Sequence, residues 1–170
     1  LFLNYHSLQC FKQDQQIIID FDYSGRAVAI AIFQIPSEMR RNLIEKRQLR
    51  NQERLIAFYS KKVPEHISKQ GPSSTKGEAH AYQIALKKAY PFLIRSIHPP
   101  IVRSDSRGLI LLMQSKNLIA PYFRGIRTLS QEFQVLIERG PSKVTQLLFP
   151  MMLGKMATGM SLIHMSEPTR

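Results

Sequence analysis

Cysteine is nearly absent from this chain: Cys10 stands alone among 170 residues. That excludes an internal disulfide and a thiolate zinc cluster. Long apolar runs are missing too. The longest, residues 27–33, is seven residues, far short of the roughly 20 that a membrane-spanning helix needs, so no membrane partner is expected. The chain opens at Leu1 without a methionine or a cleavable apolar segment, and reads as a piece of something longer. Negative charge is scarce, with 12 Asp+Glu against 24 Lys+Arg and a formal charge of +12. Such an excess favours a polyanionic partner, nucleic acid before a membrane surface. What is present is enough apolar character, 44%, for one domain with a real core.

Aspartate is the scarcest charge: only Asp14, Asp20, Asp22 and Asp105 exist. Three of these four fall in or at the end of strand-like segments, a poor place for a merely solvating group. Residues 17–22 (IIIDFD) and 27–34 (AVAIAIFQ) are apolar runs on either side of Tyr23-Ser24-Gly25-Arg26, the pattern of a β-hairpin. A third strand is expected at 55–60. Residues 37–54 are rich in helix formers and carry Arg40, Arg41, Lys46, Arg47, Arg50 and Arg54. They read as a solvated charged helix or long hairpin arm, or as a basic arm that grips phosphate. Residues 61–74 read as a linker.

The clearest helix is 75–93, where Glu78, Tyr82, Ala85, Leu86, Ala89 and Leu93 share one face. Pro91 is expected to kink or fray its last turn. A short strand at 101–104 ends at Asp105. Helices at 109–114 and 121–131 follow, then a strand at 133–139. The order β-β-β-α-β-α-α-β predicts a mixed α/β domain. Residues 1–16 read as a lead-in, 17–149 as the domain, and 150–170 as an unstructured tail. Within that tail, residues 161–170 resemble a translated sequencing-library adapter, a processing scar.

Asp20 and Asp22 are two apart on one strand and so share a face. Asp105 ends another strand, and Glu78 opens the apolar face of the long helix. Carboxylates brought together repel unless a cation sits among them. An all-oxygen set selects a hard ion, Mg²⁺ or Mn²⁺. Two such ions about 4 Å apart suit phosphodiester hydrolysis. Each acid also has a local reading: Glu78 as part of a Thr75–Glu78 capping box, Asp105 as a helix N-cap, Asp22 as a turn residue. His80 reads as a surface or packing residue.

Phe21-Asp22-Tyr23-Ser24, followed by Gln34 with Ala27 and Ala29 between, resembles a known pattern. So do the run 55–62 (LIAFYSKK), the run 74–78 (STKGE) with Ala81, Ala85, Leu86, Lys87 and Lys88 beyond, and Val102-Arg103-Ser104-Asp105-Ser106. Together they are similar to the ribonuclease H domain of reverse transcriptases from gypsy-type LTR retrotransposons and plant pararetroviruses. The resemblance spans residues 17–149. It implies a ribonuclease H-like fold, a mixed five-stranded sheet with an antiparallel hairpin and parallel strands, flanked by helices. Residues 1–16 would then be the connection from a polymerase domain of the parent polyprotein.

The resemblance further implies hydrolysis of the RNA strand of an RNA–DNA hybrid by two Mg²⁺ or Mn²⁺ ions. Asp22, Glu78 and Asp105 would be the catalytic metal ligands, with Ser24, Lys87, Lys88, Arg124, Arg127, Arg40 and Arg41 toward nucleic acid. It places the protein inside the cell, in a cytoplasmic virus-like particle or virion, or in the nucleus. One departure matters. The family's fourth acid is missing from residues 144–149 (VTQLLF), where Gln146 offers only a neutral oxygen and Asp20 is the candidate substitute. The alternative is therefore a catalytically degenerate domain that binds or tethers hybrids.

Overall fold

A computed structural model describes residues 8–36, 52–69, 75–115 and 121–140. The basic segment from 37 to 51, with Arg40 and Arg41, lies outside the described residues, as do Gln146 and the tail. Five strands and four helices follow in chain order: β1 (Gln16–Tyr23), β2 (Ala27–Ile35), β3 (Arg54–Lys62), α1 (Glu65–Ser68), α2 (Thr75–Leu93), β4 (Ile101–Ser104), α3 (Arg107–Gln114), α4 (Pro121–Glu132) and β5 (Leu136–Arg139).

The strands form one sheet in the order β3-β2-β1-β4-β5. β1 pairs antiparallel with β2, and β2 with β3, whereas β1 with β4 and β4 with β5 are parallel. The mixed five-stranded sheet expected from the sequence is the one observed. Gly25 closes the hairpin with φ of 82°, a backbone conformation costly for a side chain bearing Cβ. Ser24 Oγ accepts from the Ala27 amide at 3.2 Å, completing the turn.

Alternation sorts the β1 side chains. Ile17, Ile19, Phe21 and Tyr23 join Tyr82, Ala85, Leu86 and Ala89 of α2 in the main core. Phe21 and Tyr82 meet with ring centroids 6.0 Å apart. Ile18 packs with Ala31, Phe33 and Leu55 in a second, smaller cluster. Close docking of α2 depends on Gly77, where a Cβ would overlap the Tyr23 ring.

Three boundaries differ from the sequence expectation. Lys61 and Lys62 extend β3, and the supposed linker holds the single turn α1, which Pro64 opens by accepting the amide of Ser68 at 3.0 Å. α2 keeps its expected bounds, with Pro91 inside its last turn. The last strand starts at Leu136 rather than 133, because Gln134 takes a positive φ of 52° and the Val135 amide returns to Ser130 O at 2.8 Å. The chain finishes α4 before it can extend.

The lead-in is pinned by side-chain amides. Gln34 donates to Cys10 O at 2.7 Å and accepts from the Lys12 amide at 3.0 Å. Gln16 donates to Pro99 O at 2.8 Å.

Candidate functional site

Parallel pairing sets Ile18 beside Ile101, Ile19 beside Val102 and Asp20 beside Arg103. The pairing ends there: Asp22 lies two residues beyond Asp20 in β1, and Asp105 directly follows the last residue of β4. Crevices outside the carboxyl ends of parallel strands are where α/β sheets bind ligands. Glu78 comes from the first turn of α2. Asp22 thus stands near the C-terminal end of β1, Asp105 just past that of β4, and Glu78 in the first turn of α2.

Electrostatics tie the three acids together. Burial pushes the Glu78 carboxyl from its ordinary 4.5 up to about 7, and the charges of Asp105 and then Asp22 push it the same way. Each of the two aspartates thus lies close enough to oppose the ionisation of Glu78. Among the described residues, no three His, Cys, Asp or Glu side chains close into a metal cage. The donor set is all carboxylate oxygen, the chemistry of a hard divalent cation.

One of the local alternatives is taken by a neighbouring residue. Ser106, not Asp105, caps α3: its hydroxyl accepts from the Leu109 amide at 3.2 Å. In the turn after β1, Ser24 Oγ donates to Ala27 O and accepts from the Ala27 amide, each at 3.2 Å.

Asp20 requires a correction. Expected as a substitute ligand, it is instead fully buried in an ion triad. Arg103 Nε donates to Asp20 Oδ1 at 2.7 Å, and Nη2 donates to Glu53 Oε2 at 2.9 Å. Exposures of 0% for Asp20, 3% for Arg103 and 4% for Glu53 leave no approach for a solvated ion. Burial alone would lower the Arg103 pKa, but the charges of Asp20 and Glu53, with the hydrogen bonds they accept, outweigh it and hold the value above the ordinary one. Glu53 was hidden in a segment read as a basic arm. Arg103 carried a usable signal, since it precedes Asp105 by two residues just as Asp20 precedes Asp22.

The expected nucleic-acid contacts are dispersed. Ser24 is exposed in the hairpin turn, and Arg124 is exposed on α4 with Arg127 half-buried. α4 itself is fastened to α2 by a 2.8 Å hydrogen bond between the Tyr82 hydroxyl and Ser130 Oγ. Lys87 is exposed, and Lys88 Nζ lies 5.4 Å from the Tyr59 ring centre. His80, read as surface or packing, is half-buried, and its pKa is lowered by burial and then by His66, Lys61 and Lys87. Among the described residues, no helix is long and apolar enough to cross a membrane.

No protein-family model matches the chain, and no curated protein matches it. Solved structures do. The chain is similar to the foamy viral protease-reverse transcriptase in complex with RNA/DNA hybrid, at 12% identity and a TM-score of 0.57, over 79% of this chain and 16% of that one. It is also similar to the foamy viral protease-reverse transcriptase dRH in complex with double-stranded DNA, at 13% identity and a TM-score of 0.52, over 82% of this chain and 24% of that one. A further complex of the foamy viral protease-reverse transcriptase with double-stranded DNA matches at 14% identity and a TM-score of 0.52, over 79% of this chain and 25% of that one. The chain thus spans a quarter or less of the polypeptides it matches. The fold is the ribonuclease H-like one expected from the sequence, a mixed five-stranded sheet flanked by helices.

Proposed function

We propose that this chain is the ribonuclease H domain of a retroelement reverse transcriptase, of the gypsy-type or pararetroviral kind, and cleaves the RNA strand of RNA–DNA hybrids. The observation that carries this reading is the Glu78 carboxyl, raised to about 7 by burial and then by the charges of Asp105 and Asp22, which come from distant parts of the chain. A carboxyl whose charge is opposed both by burial and by two neighbouring carboxylates is costly to ionise unless a cation relieves it. The likeness to reverse transcriptases solved with hybrid and duplex supports the same partner.

Asp22, Glu78 and Asp105 would hold two Mg²⁺ or Mn²⁺ ions, which when bound supply Lewis acidity toward a phosphodiester. Glu78 must give up its proton to serve as a ligand, so loading is favoured as pH rises through about 7. Ser24 in the turn beside Asp22, and Arg124 and Arg127 on α4, would position phosphates without reading sequence. Discrimination of RNA from DNA would rest on minor-groove shape and the 2′-hydroxyl. A polymerase domain of the parent polyprotein would present the hybrid, in a virus-like particle, virion or nucleus.

A second reading is a degenerate domain that binds hybrids without cutting them. It is favoured by Gln146, where the resembled family has its fourth acid. Cleavage of an end-labelled hybrid in Mg²⁺ or Mn²⁺ separates the two. Wild type that cuts, with Asp22→Asn losing at least about 100-fold, supports the nuclease. Inert wild type with activity gained in Gln146→Asp supports the degenerate domain.

A further inference from the structure

α2 carries a second feature on the flank turned away from the carboxylates. Lys61 at the end of β3 and His80, Gln83, Lys87 and Lys88 of α2 surround a groove of about 310 Å³ with Ile84 in its lining. At 100° per residue, Lys87 stands half a turn round the helix from Glu78 and about 13 Å further along its axis. A phosphate held in this groove is therefore a different phosphate from one at the strand ends.

The groove has the chemistry of an anion site. Every ionisable side chain in its lining is basic. The nearby acid of α1, Glu65, is engaged by Lys69 at 3.2 Å and lies outside the lining. Lys88 is steadied over the Tyr59 ring, with Nζ 5.4 Å from its centre, which reduces the rotamer freedom an anion would otherwise have to freeze. Gln83 adds an amide donor. Three ammonium groups around one hollow repel one another, and a multiply charged anion reverses that term. The volume falls at the lower end of the roughly 300–1,000 Å³ of small-ligand clefts.

We propose that this groove is a phosphate site separate from the carboxylate cluster, taking a multiply charged phosphate supplied by a nucleic-acid backbone or by a free polyphosphate. The proposal does not rest on cleavage, and its test reads binding alone. The whole chain, in EDTA, is titrated with sodium tripolyphosphate by calorimetry. A labelled RNA–DNA hybrid is titrated by anisotropy across a salt series.

Wild type is compared with Lys61→Gln/Lys87→Gln and with Lys12→Gln/Arg95→Gln, which removes equal charge from exposed positions elsewhere. Circular dichroism checks that each variant is folded. A tripolyphosphate affinity at least about ten-fold weaker in the groove variant alone assigns the site to free polyphosphate. A salt slope lower by about 2 in the groove variant alone assigns it to the nucleic-acid backbone. Both effects together show that the two sources share it. If the two double variants behave alike in both titrations, the groove is no site and the proposal fails. A chain that binds here yet cuts nothing would overturn only the nuclease reading.

Discussion

Glu78 concentrates the electrostatic cost of the site in one titratable group. Its pKa in the folded chain, about 7, exceeds its ordinary 4.5, so the unfolded chain ionises first as pH rises. The folded state therefore loses stability between those values, with no penalty below about pH 4.5 and the full penalty above about 7. Because Glu78 is only half-buried, solvent screening trims the effect to about 1–2 kcal/mol. Glu78→Gln should nearly match wild type at pH 4 and exceed it by that amount at pH 8 in urea unfolding. Millimolar magnesium at pH 8 should narrow the gap.

Arg103 makes the opposite kind of contribution. Its guanidinium neutralises two buried acids, and Arg103→Met would strand both, at about 3–5 kcal/mol. Arg103→Lys keeps the charge but loses the two-armed geometry, and should fall between. Chemical denaturation orders the three proteins.

At the level of elements, α2 and β1 make the site together. The helix sits close enough to bring Glu78 to the ends of β1 and β4 only because position 77 has no Cβ. Gly77→Ala should cost about 1–3 kcal/mol by overpacking against Tyr23. Tyr23→Leu in the same chain should recover part of that loss, a coupling measurable by a double-mutant cycle.

The helix bounds 75–93 were legible because its apolar face repeats at 3.6 residues over five turns. The hairpin was legible because its strands are continuous apolar runs across a glycine turn. α1 was not, since a single turn after Pro64 has too few residues to show a period. The start of β5 was not, because its boundary depends on how α4 terminates at Ser130 and Gln134 rather than on the alternation of 133–139.

For the whole molecule, charge and topology act at different ranges. A formal charge of +12 on 170 residues predicts hybrid binding that weakens steeply with salt. Between 50 and 200 mM salt, an affinity loss of about 10³-fold or more is expected if six or more phosphates are contacted. A flat salt series would count against backbone recognition. Sheet topology, by contrast, acts over ångströms: it carries Asp22 and Asp105, 83 residues apart in the chain, to adjacent parallel strands.

The sequence by itself determined the order of the strands and of the longer helices, the excess of positive charge, and which acids lie in or at the end of those elements. Local periodicity and composition suffice for these, because backbone preferences and net charge need no distant partner. Only the tertiary structure decided how those acids are used. Asp20 and Asp22 share a strand, a face and nearly the same local surroundings. Parallel pairing with β4 sets the first against a guanidinium and ends there, leaving the second near the strand end, close enough to Glu78 to oppose its ionisation. Charges two residues apart thus meet opposite fates, because interaction energy depends on distance in space rather than on separation along the chain.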